Sequence, residues 1–296
     1  VVAKIYDAVG NFTYSPKQRY MCDNQGPEQV KNVKCIAVDG TTATLSWSDV
    51  SDDDISYFVV ECKQSDGVWK SVSRTSTNLG VNLSGLTPEH DYVYRVIGYD
   101  KRSNRGTPSE EITVTTLKDT ICPKVTKITP DPGYFKSEIN LRFTAEDDYR
   151  VKSIEIQTST DKESWKTVSE IKATGESAKC TFDCKLDLKN YEEGSVFVRA
   201  KVYDSYGNVT EDKDLTCYEY VVDRTAPIQP TGVTASSGET EGGSSFVNIS
   251  WNAITDDNSF AYYRVYKSNS ADGEFTLLKN NVKTVNTYDE NVDFSA

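Results

Sequence analysis

Short segments in which apolar and polar residues alternate recur along this chain of 296 residues. In the first part they cover residues 33–37, 43–48, 57–63, 69–74, 80–83, 92–100 and 112–116. Alternation with a period of two places successive side chains on opposite faces of a strand, so these seven segments predict an antiparallel β-sandwich. The pattern continues over residues 139–145, 151–158, 179–188, 195–203 and 215–222. We therefore predict an all-β fold of tandem β-sandwiches.

The chain also contains a long internal repeat. The stretch AKIYDAVGNFT, which begins at Ala3, returns as AKVYDSYGNVT from Ala200, at an offset of 197 residues. Solenoid units are only ~20–50 residues long, whereas two domains of ~100 residues used as a pair fit this period. We therefore expect a window from an alternating two-domain array that belongs to a longer protein.

Three junctions share one spacing, an Asp four residues before a Pro. They are Asp23 to Pro27, Asp119 to Pro123 and Asp223 to Pro227. Proline fixes its own φ and holds the preceding residue extended, which predicts short, semi-rigid connectors. The predicted domains are residues 1–26 (the last strands of a truncated domain), 27–117, 118–223 and 224–296 (truncated before its last strands).

Residues 27–117 carry a recognisable set of core and turn residues. Trp47 lies in the second predicted strand, Phe58 and Val60 alternate in the third, and an L-T-P turn at Leu86 precedes Y-V-Y-R-V at Tyr92. This set resembles a fibronectin type III domain, as does the segment 224–296 up to about its fifth strand. The resemblance implies that Tyr92 is the tyrosine corner, whose hydroxyl closes the turn with a hydrogen bond.

The repeated motif closes the predicted domain 118–223. It resembles the hairpin A-x-x-x-D-x-x-G-N of bacterial immunoglobulin-like repeats. Gly207 and Asn208 tolerate a positive φ, and Asp204 can cap the turn through its side chain. We interpret the motif as turn chemistry, in an array that alternates immunoglobulin-like and fibronectin type III-like domains.

Paired repeats of this kind resemble those of large secreted or surface-anchored bacterial proteins, clostridia-like adhesins and YD-repeat (Rhs-type) proteins among them. The resemblance implies a non-catalytic structural or adhesive spacer, located outside the cell or at the cell surface. Two alternatives stay open: the accessory region of an extracellular glycoside hydrolase, and a shell-associated segment of a YD-repeat toxin. The expected partners are other domains of the same longer chain and protein or glycan ligands on a surface.

Charge and hydropathy exclude two classes of partner. The net charge is −12, without a dense stripe of Lys and Arg, so nucleic-acid binding is not expected. No segment approaches the ~20 apolar residues of a membrane helix, so membrane insertion is not expected.

The sequence offers no catalytic set, and we expect no enzyme activity, no catalytic or cofactor-binding residues and no metal ligands. Its single histidine, His90, lies in a polar turn. Acidic runs at 52–54, 146–148 and 256–257 are each expected in the loop after the second strand of a domain, as solvated residues. Calcium at these loops or at the junction aspartates is the open alternative, because Ca²⁺ binds six to eight oxygens.

Seven cysteines raise the question of disulfides. Cys22, Cys35, Cys62 and Cys122 are not matched by a cysteine in the other copy of the repeat. We therefore expect most of the cysteines to be buried free thiols, with a Cys35–Cys62 bridge as the alternative. Lys–Asn isopeptide cross-links are left open by the sequence.

Overall fold

The computed structural model describes residues 1–20, 22–76, 78–255, 257–290 and 292. The fold is nearly all β, as predicted. It opens with a two-stranded hairpin of β1 (Lys4–Tyr6) and β2 (Phe12–Tyr14), in which Lys4 pairs with Tyr14. Both strands are exposed on both faces.

The first sandwich consists of two antiparallel sheets. Its strands are β3 (Lys34–Val38), β4 (Thr42–Ser46), β5 (Ile55–Lys63), β6 (Trp69–Thr75), β7 (Gly80–Ser84), β8 (Asp91–Asp100) and β9 (Ile112–Thr115). The sheet orders are β3-β4-β7 and β6-β5-β8-β9. Leu45, Val60, Tyr94 and Val96 are fully buried in its core, because their alternating positions face inward. All seven strands predicted here are present.

The second sandwich differs from the prediction in the length of its strands. It comprises β10 (Lys124–Thr129), β11 (Tyr134–Phe135), β12 (Glu138–Ser159), β13 (Lys166–Asp187), β14 (Gly194–Asp204) and β15 (Tyr218–Val222), with a 3-10 turn at Asp212–Asp214. The segments 139–145 and 151–158, predicted as separate strands, are the two halves of β12. The first half pairs with β10 and the second with β14, while β13 pairs with both. The strand therefore continues through a break in register between Glu146 and Val151.

This continuity corrects one expectation about the acidic runs. Residues 146–148 lie inside β12, at the break in register, and not in a loop. Residues 52–54 do lie in the turn before β5, as expected. In the third run Asp257 is outside any strand, and Asp256 lies outside the described residues. Asp147 and Asp148 have no ladder partner in β13 at this break, and Asp147 Oδ2 accepts hydrogen bonds from the backbone amides of Tyr149 and Arg150 instead.

The third sandwich comprises β16 (Thr234–Glu239), β17 (Ser245–Ser250), β18 (Tyr263–Lys267), β19 (Thr276–Val282) and β20 (Asn286–Glu290). The sheets have the orders β16-β17-β20 and β18-β19. Trp251 packs edge-on against Tyr263, with ring centroids 5.0 Å apart. In the part of the chain that the structure describes, no helix is long and apolar enough to cross a membrane.

All seven cysteines are free thiols, as predicted, and the alternative Cys35–Cys62 bridge is not formed. The expectation of burial was wrong for most of them. Of the seven, Cys62 alone is fully buried, whereas Cys22 and Cys217 are exposed. The reason is position, since Cys62 points inward from β5, while Cys22 and Cys217 lie outside the strands.

Candidate functional site

The tyrosine corner forms as the sequence predicts. The Tyr92 hydroxyl accepts a hydrogen bond from the backbone N–H of Thr87 at 2.8 Å. His90 is exposed, and its ring lies edge-on to that of Tyr92 at 4.7 Å. Among the described residues, the hydrogen bonds of His90 are made by its backbone, whose N–H donates to Thr116 Oγ1 at 3.0 Å.

The hairpin after β14 is capped by a carboxylate, as predicted. Asp204 Oδ1 accepts hydrogen bonds from the backbone N–H groups of Tyr206 and Asn208, both at 2.8 Å. Asp204 Oδ2 accepts one from the Asn208 side-chain amide at 2.6 Å. Gly207 has a φ of +92°, which a residue without a Cβ adopts at no steric cost. Asp204 and Asn208 therefore act as a pair that closes the turn.

The same cap occurs twice more, and one occurrence was missed in the sequence. Asp7 and Asn11 repeat the three hydrogen bonds in the first hairpin, and Asp100 and Asn104 repeat them after β8. The second pair lacks the glycine that marks the others, because Ser103 takes the positive φ at +67°. The signal that identifies all three is the spacing D-x-x-x-N.

Two of these hairpins also hold the linker that precedes their sandwich. The Asn208 side-chain amide donates to the backbone carbonyl of Asp119 at 3.2 Å. The Asn104 amide donates to that of Asp23 at 3.0 Å. The aspartates of the first two D-x-x-x-P junctions are thereby fixed against the hairpin of the domain that follows each of them.

The acidic residues that are separate in sequence meet at these junctions. One group consists of Asp23, Asp54 and Asp100, and the other of Asp119, Asp147 and Asp204. In each group, one carboxylate oxygen per residue lies within 4.8 Å of those of the other two. Each group therefore joins a linker and a capped hairpin to a third aspartate, which lies in the turn before β5 in the first group and at the break in register of β12 in the second. We name them the first and the second junction cluster.

The two clusters differ in how their charge is balanced. In the first, Arg102 Nη1 forms an ion pair with Asp23 Oδ2 at 2.9 Å. Arg102 is the third residue of its D-x-x-x-N turn, and the third residue of the matching turn in the second cluster is Tyr206. Among the described residues, no Lys or Arg forms an ion pair with an aspartate of the second cluster.

The pKa values of three aspartates in the two clusters are raised above their ordinary values. Burial raises the pKa of Asp119, and the nearby Asp148 and Asp204 raise it further. Burial, reinforced by the same neighbours, raises the pKa of Asp147 to about 6. In the first cluster a hydrogen bond with Asp52 is the main cause that raises the pKa of Asp54 to about 6.

Aromatic side chains connect the first and second sandwiches directly. The Tyr206 hydroxyl donates to the backbone carbonyl of Pro88 at 3.2 Å, and the Tyr149 hydroxyl donates to Thr87 Oγ1 at 3.3 Å. The two tyrosine rings lie 5.8 Å apart. Both contacts are made to the turn that the tyrosine corner holds in place. The second sandwich therefore contacts a part of the first sandwich that is itself fixed by a hydrogen bond.

Two further contacts tighten this junction. Thr41 Oγ1 donates to Asp148 Oδ2 at 2.9 Å. The Cα of Gly40 faces the linker so closely that a Cβ there would lie 3.1 Å from the Cα of Asp119. The linker at Asp119 is therefore packed against the first sandwich as well as the second, and Asp119 is only 1% exposed.

The linker after the second sandwich is held by a different residue. Arg224 Nη2 donates to the backbone carbonyls of Leu188 at 2.7 Å and Tyr191 at 3.1 Å. The Arg224 amide donates to Glu193 Oε1 at 3.1 Å. This linker is thus anchored on the sandwich that it leaves.

Comparison with known proteins supports part of the family assignment. Residues 28–115 match the family model described as fibronectin type III domain, which is under a third of the chain. Domains of this family are structural and adhesive modules, typically without catalysis. The immunoglobulin-like resemblance of residues 118–223 stays a prediction, as do the bounds of the four domains.

Two solved structures illustrate the likeness in three dimensions. The crystal structure of chicken CNTN1 FN1–FN3 domains is 16% identical, with 90% of this chain and 89% of that chain covered and a TM-score of 0.40. The solution structure of the fibronectin type III domain of human fibronectin type III domain containing protein 3 is 25% identical. There the match covers 33% of this chain and 93% of that chain, with a TM-score of 0.30.

Proposed function

We propose that this chain is a non-catalytic spacer in a large bacterial extracellular repeat protein, where it holds an adhesive or other functional part away from a surface. A spacer must keep its two ends a fixed distance apart, so its domains must not rotate freely about their linkers. The proposal places the chain outside the cell or at the cell surface, with neighbouring domains of the same protein as its first partners.

One observation carries this proposal, the closed junction between the first and second sandwiches. Linkers between domains are usually exposed and crossed by few contacts, which makes relative motion the default. Here the linker residue Asp119 is buried and hydrogen bonds from Tyr149, Tyr206 and Thr41 cross the junction. Side chains held from both sides resist bending of the linker.

Small-angle X-ray scattering of the full chain tests this stiffness. The wild-type curve is expected to fit one arrangement of the sandwiches, and a Tyr149→Phe/Tyr206→Phe variant is expected to require a broader ensemble. Tyr134→Phe is a matched control, because Tyr134 is about half exposed on β11, away from these contacts. A wild-type curve that needs a broad ensemble of orientations would contradict the spacer function.

The two alternatives differ in what the parent protein carries. A hydrolase domain beside these sandwiches would make them an accessory region of an extracellular glycoside hydrolase. A run of YD repeats would make them a shell-associated segment of a toxin. Peptide sequencing of the intact parent polypeptide on both sides of this segment distinguishes these cases from further spacer domains with a wall anchor.

Adhesion itself is tested by binding. Immobilised chain is exposed to a glycan array and to extracellular matrix proteins, with a heat-denatured sample as the control. Saturable binding supports an adhesive surface, and no binding restricts the role to spacing.

A further inference from the structure

The second junction cluster contains two carboxylate oxygens that have no hydrogen-bond partner among the described residues. Asp119 is 1% exposed; its Oδ1 accepts a hydrogen bond from the Ile121 amide at 2.9 Å, while its Oδ2 is buried and has no such partner within the described part of the chain. Asp147 repeats this pattern, since its Oδ2 accepts from the amides of Tyr149 and Arg150, and its Oδ1 is buried and unpartnered among the same residues. Buried polar atoms are nearly always paired, and an ionised oxygen without a partner is costly.

The third carboxylate completes a compact set of oxygens. Asp204 is also 1% exposed, and one oxygen each of Asp119, Asp147 and Asp204 lies within 4.8 Å of the other two. A cation that lies ~2.3–2.6 Å from each ligand requires oxygens no more than about 5 Å apart. The spacing of the cluster therefore matches a shared cation without movement of the backbone.

The first junction cluster contains a positively charged side chain, and the second has none among the described residues. There, the guanidinium of Arg102 pairs with the linker aspartate Asp23. The matching residue Tyr206 brings no charge and points its hydroxyl at Pro88 instead. The second cluster thus has the same arrangement of carboxylates as the first, but no protein cation among the described residues to balance them.

We propose that Asp119, Asp147 and Asp204 bind one Ca²⁺ ion at the junction between the first and second sandwiches. The donor set consists of oxygens alone, which suits hard cations and disfavours zinc or copper. An irregular set of carboxylates on a linker, a bulged strand and a hairpin fits the flexible coordination of Ca²⁺ better than the strict octahedron of Mg²⁺. Water supplies the remaining ligands. This site goes beyond the spacer function, because cation binding is measurable whether or not the chain is stiff.

Binding is measured on the full chain by isothermal titration with CaCl₂ after removal of divalent ions with EDTA and dialysis. One ion per chain is expected, with a Kd near the ~10⁻⁴–10⁻³ M of extracellular calcium modules. At a concentration ten times Kd, calcium should raise the folding equilibrium constant of the second sandwich by about 10-fold. A parallel titration with MgCl₂ is expected to show weaker binding, and equal affinity for Mg²⁺ would overturn the assignment to calcium.

Two isosteric substitutions test the ligands. Asp119→Asn keeps an oxygen for the Ile121 amide and places an NH₂ group beside the other carboxylates. It should therefore raise the melting temperature in EDTA, while the calcium response is lost. Asp147→Asn should likewise abolish binding. Asp54→Asn in the first cluster is the matched control and should retain the wild-type stoichiometry.

A further pair of variants leaves every proposed ligand in place. Tyr206→Arg imitates the first cluster by bringing a guanidinium to the linker aspartate, and it should reduce calcium affinity at least 10-fold. Tyr206→Phe removes only the hydroxyl bond to Pro88 and should bind calcium as the wild type does. The proposal is overturned if the wild type binds no calcium at 10 mM, or if Asp119→Asn and Asp147→Asn bind it with unchanged affinity.

Discussion

Replacement of Thr210 by valine removes a buried hydroxyl while the shape of the side chain is kept. Thr210 follows the hairpin of β14 and is 4% exposed. Its Oγ1 accepts a hydrogen bond from the backbone N–H of Val202 at 2.9 Å. Val202 is fully buried, so water does not replace the lost acceptor in the variant.

The size of the effect follows from these contacts. An N–H group left unpaired in the interior costs about 1–3 kcal/mol. The second bond of the hydroxyl, to the Val202 carbonyl at 3.4 Å, adds little, because that carbonyl also accepts from the Thr210 amide at 3.0 Å. We expect Thr210→Val to destabilise the second sandwich by about 2 kcal/mol. The control Thr210→Ser keeps the hydroxyl and loses one buried methyl group, which costs about 0.8 kcal/mol.

The assay must report on the second sandwich alone, since a chain of several domains does not unfold in one transition. Hydrogen exchange followed by mass spectrometry in increasing urea provides this, with peptides from β14 as the reporter and peptides from β5 as the internal control. The expected order of stability is wild type, then Thr210→Ser, then Thr210→Val, with β5 unchanged. A Thr210→Val protein as stable as the serine variant would refute the reasoning.

Three further predictions concern pH, backbone packing and thiols. Hydrogen bonds from Thr167 and other neighbours lower the pKa of Glu155, so its contribution to stability is present above the unfolded pKa of ~4.3 and disappears as the pH falls through the folded pKa. The difference between the urea midpoints of wild type and Glu155→Gln should therefore be largest at pH 7 and shrink as the pH falls below the unfolded pKa, and a difference that is independent of pH would contradict this. Gly106→Ala should lower the melting temperature, because its Cβ would lie 2.6 Å from the Pro27 carbonyl oxygen, whereas Gly175→Ala, with nothing within 4 Å, should not. With Ellman's reagent on the native chain, exposed thiols such as Cys22 should react at once and buried Cys62 last, and fewer than seven thiols in denaturant would show a disulfide.

Local features of this protein were predictable from its sequence because they depend on neighbours in the chain. The alternation of side chains identified the strands of the first sandwich, and the L-x-P turn identified the tyrosine corner at Tyr92. The D-x-x-x-N hairpin at Asp204 followed from its spacing and its glycine. The hairpin at Asp100 was missed because its sequence lacks the glycine that marks the other two hairpins. In the structure, Ser103 adopts the positive φ at that position.

Sequence alone did not separate a continuous strand from two strands with a loop between them. Residues 147–150 are polar in pattern, which suggested a loop. In the structure both halves of β12 find partners in β13, so pairing carries the strand through the break in register. Tertiary pairing of this kind overrides the local pattern, because ladder hydrogen bonds on either side hold the unpaired residues extended.

The sequence by itself determined the all-β fold, the capped turns and the presence of aspartates at the linkers. Only the tertiary structure decided that Asp119, Asp147 and Asp204 meet, and that no Lys or Arg among the described residues forms an ion pair with them. These residues come from a linker, a bulge and a hairpin far apart in the chain. Their convergence depends on how one sandwich packs on the next, which no local pattern of residues encodes.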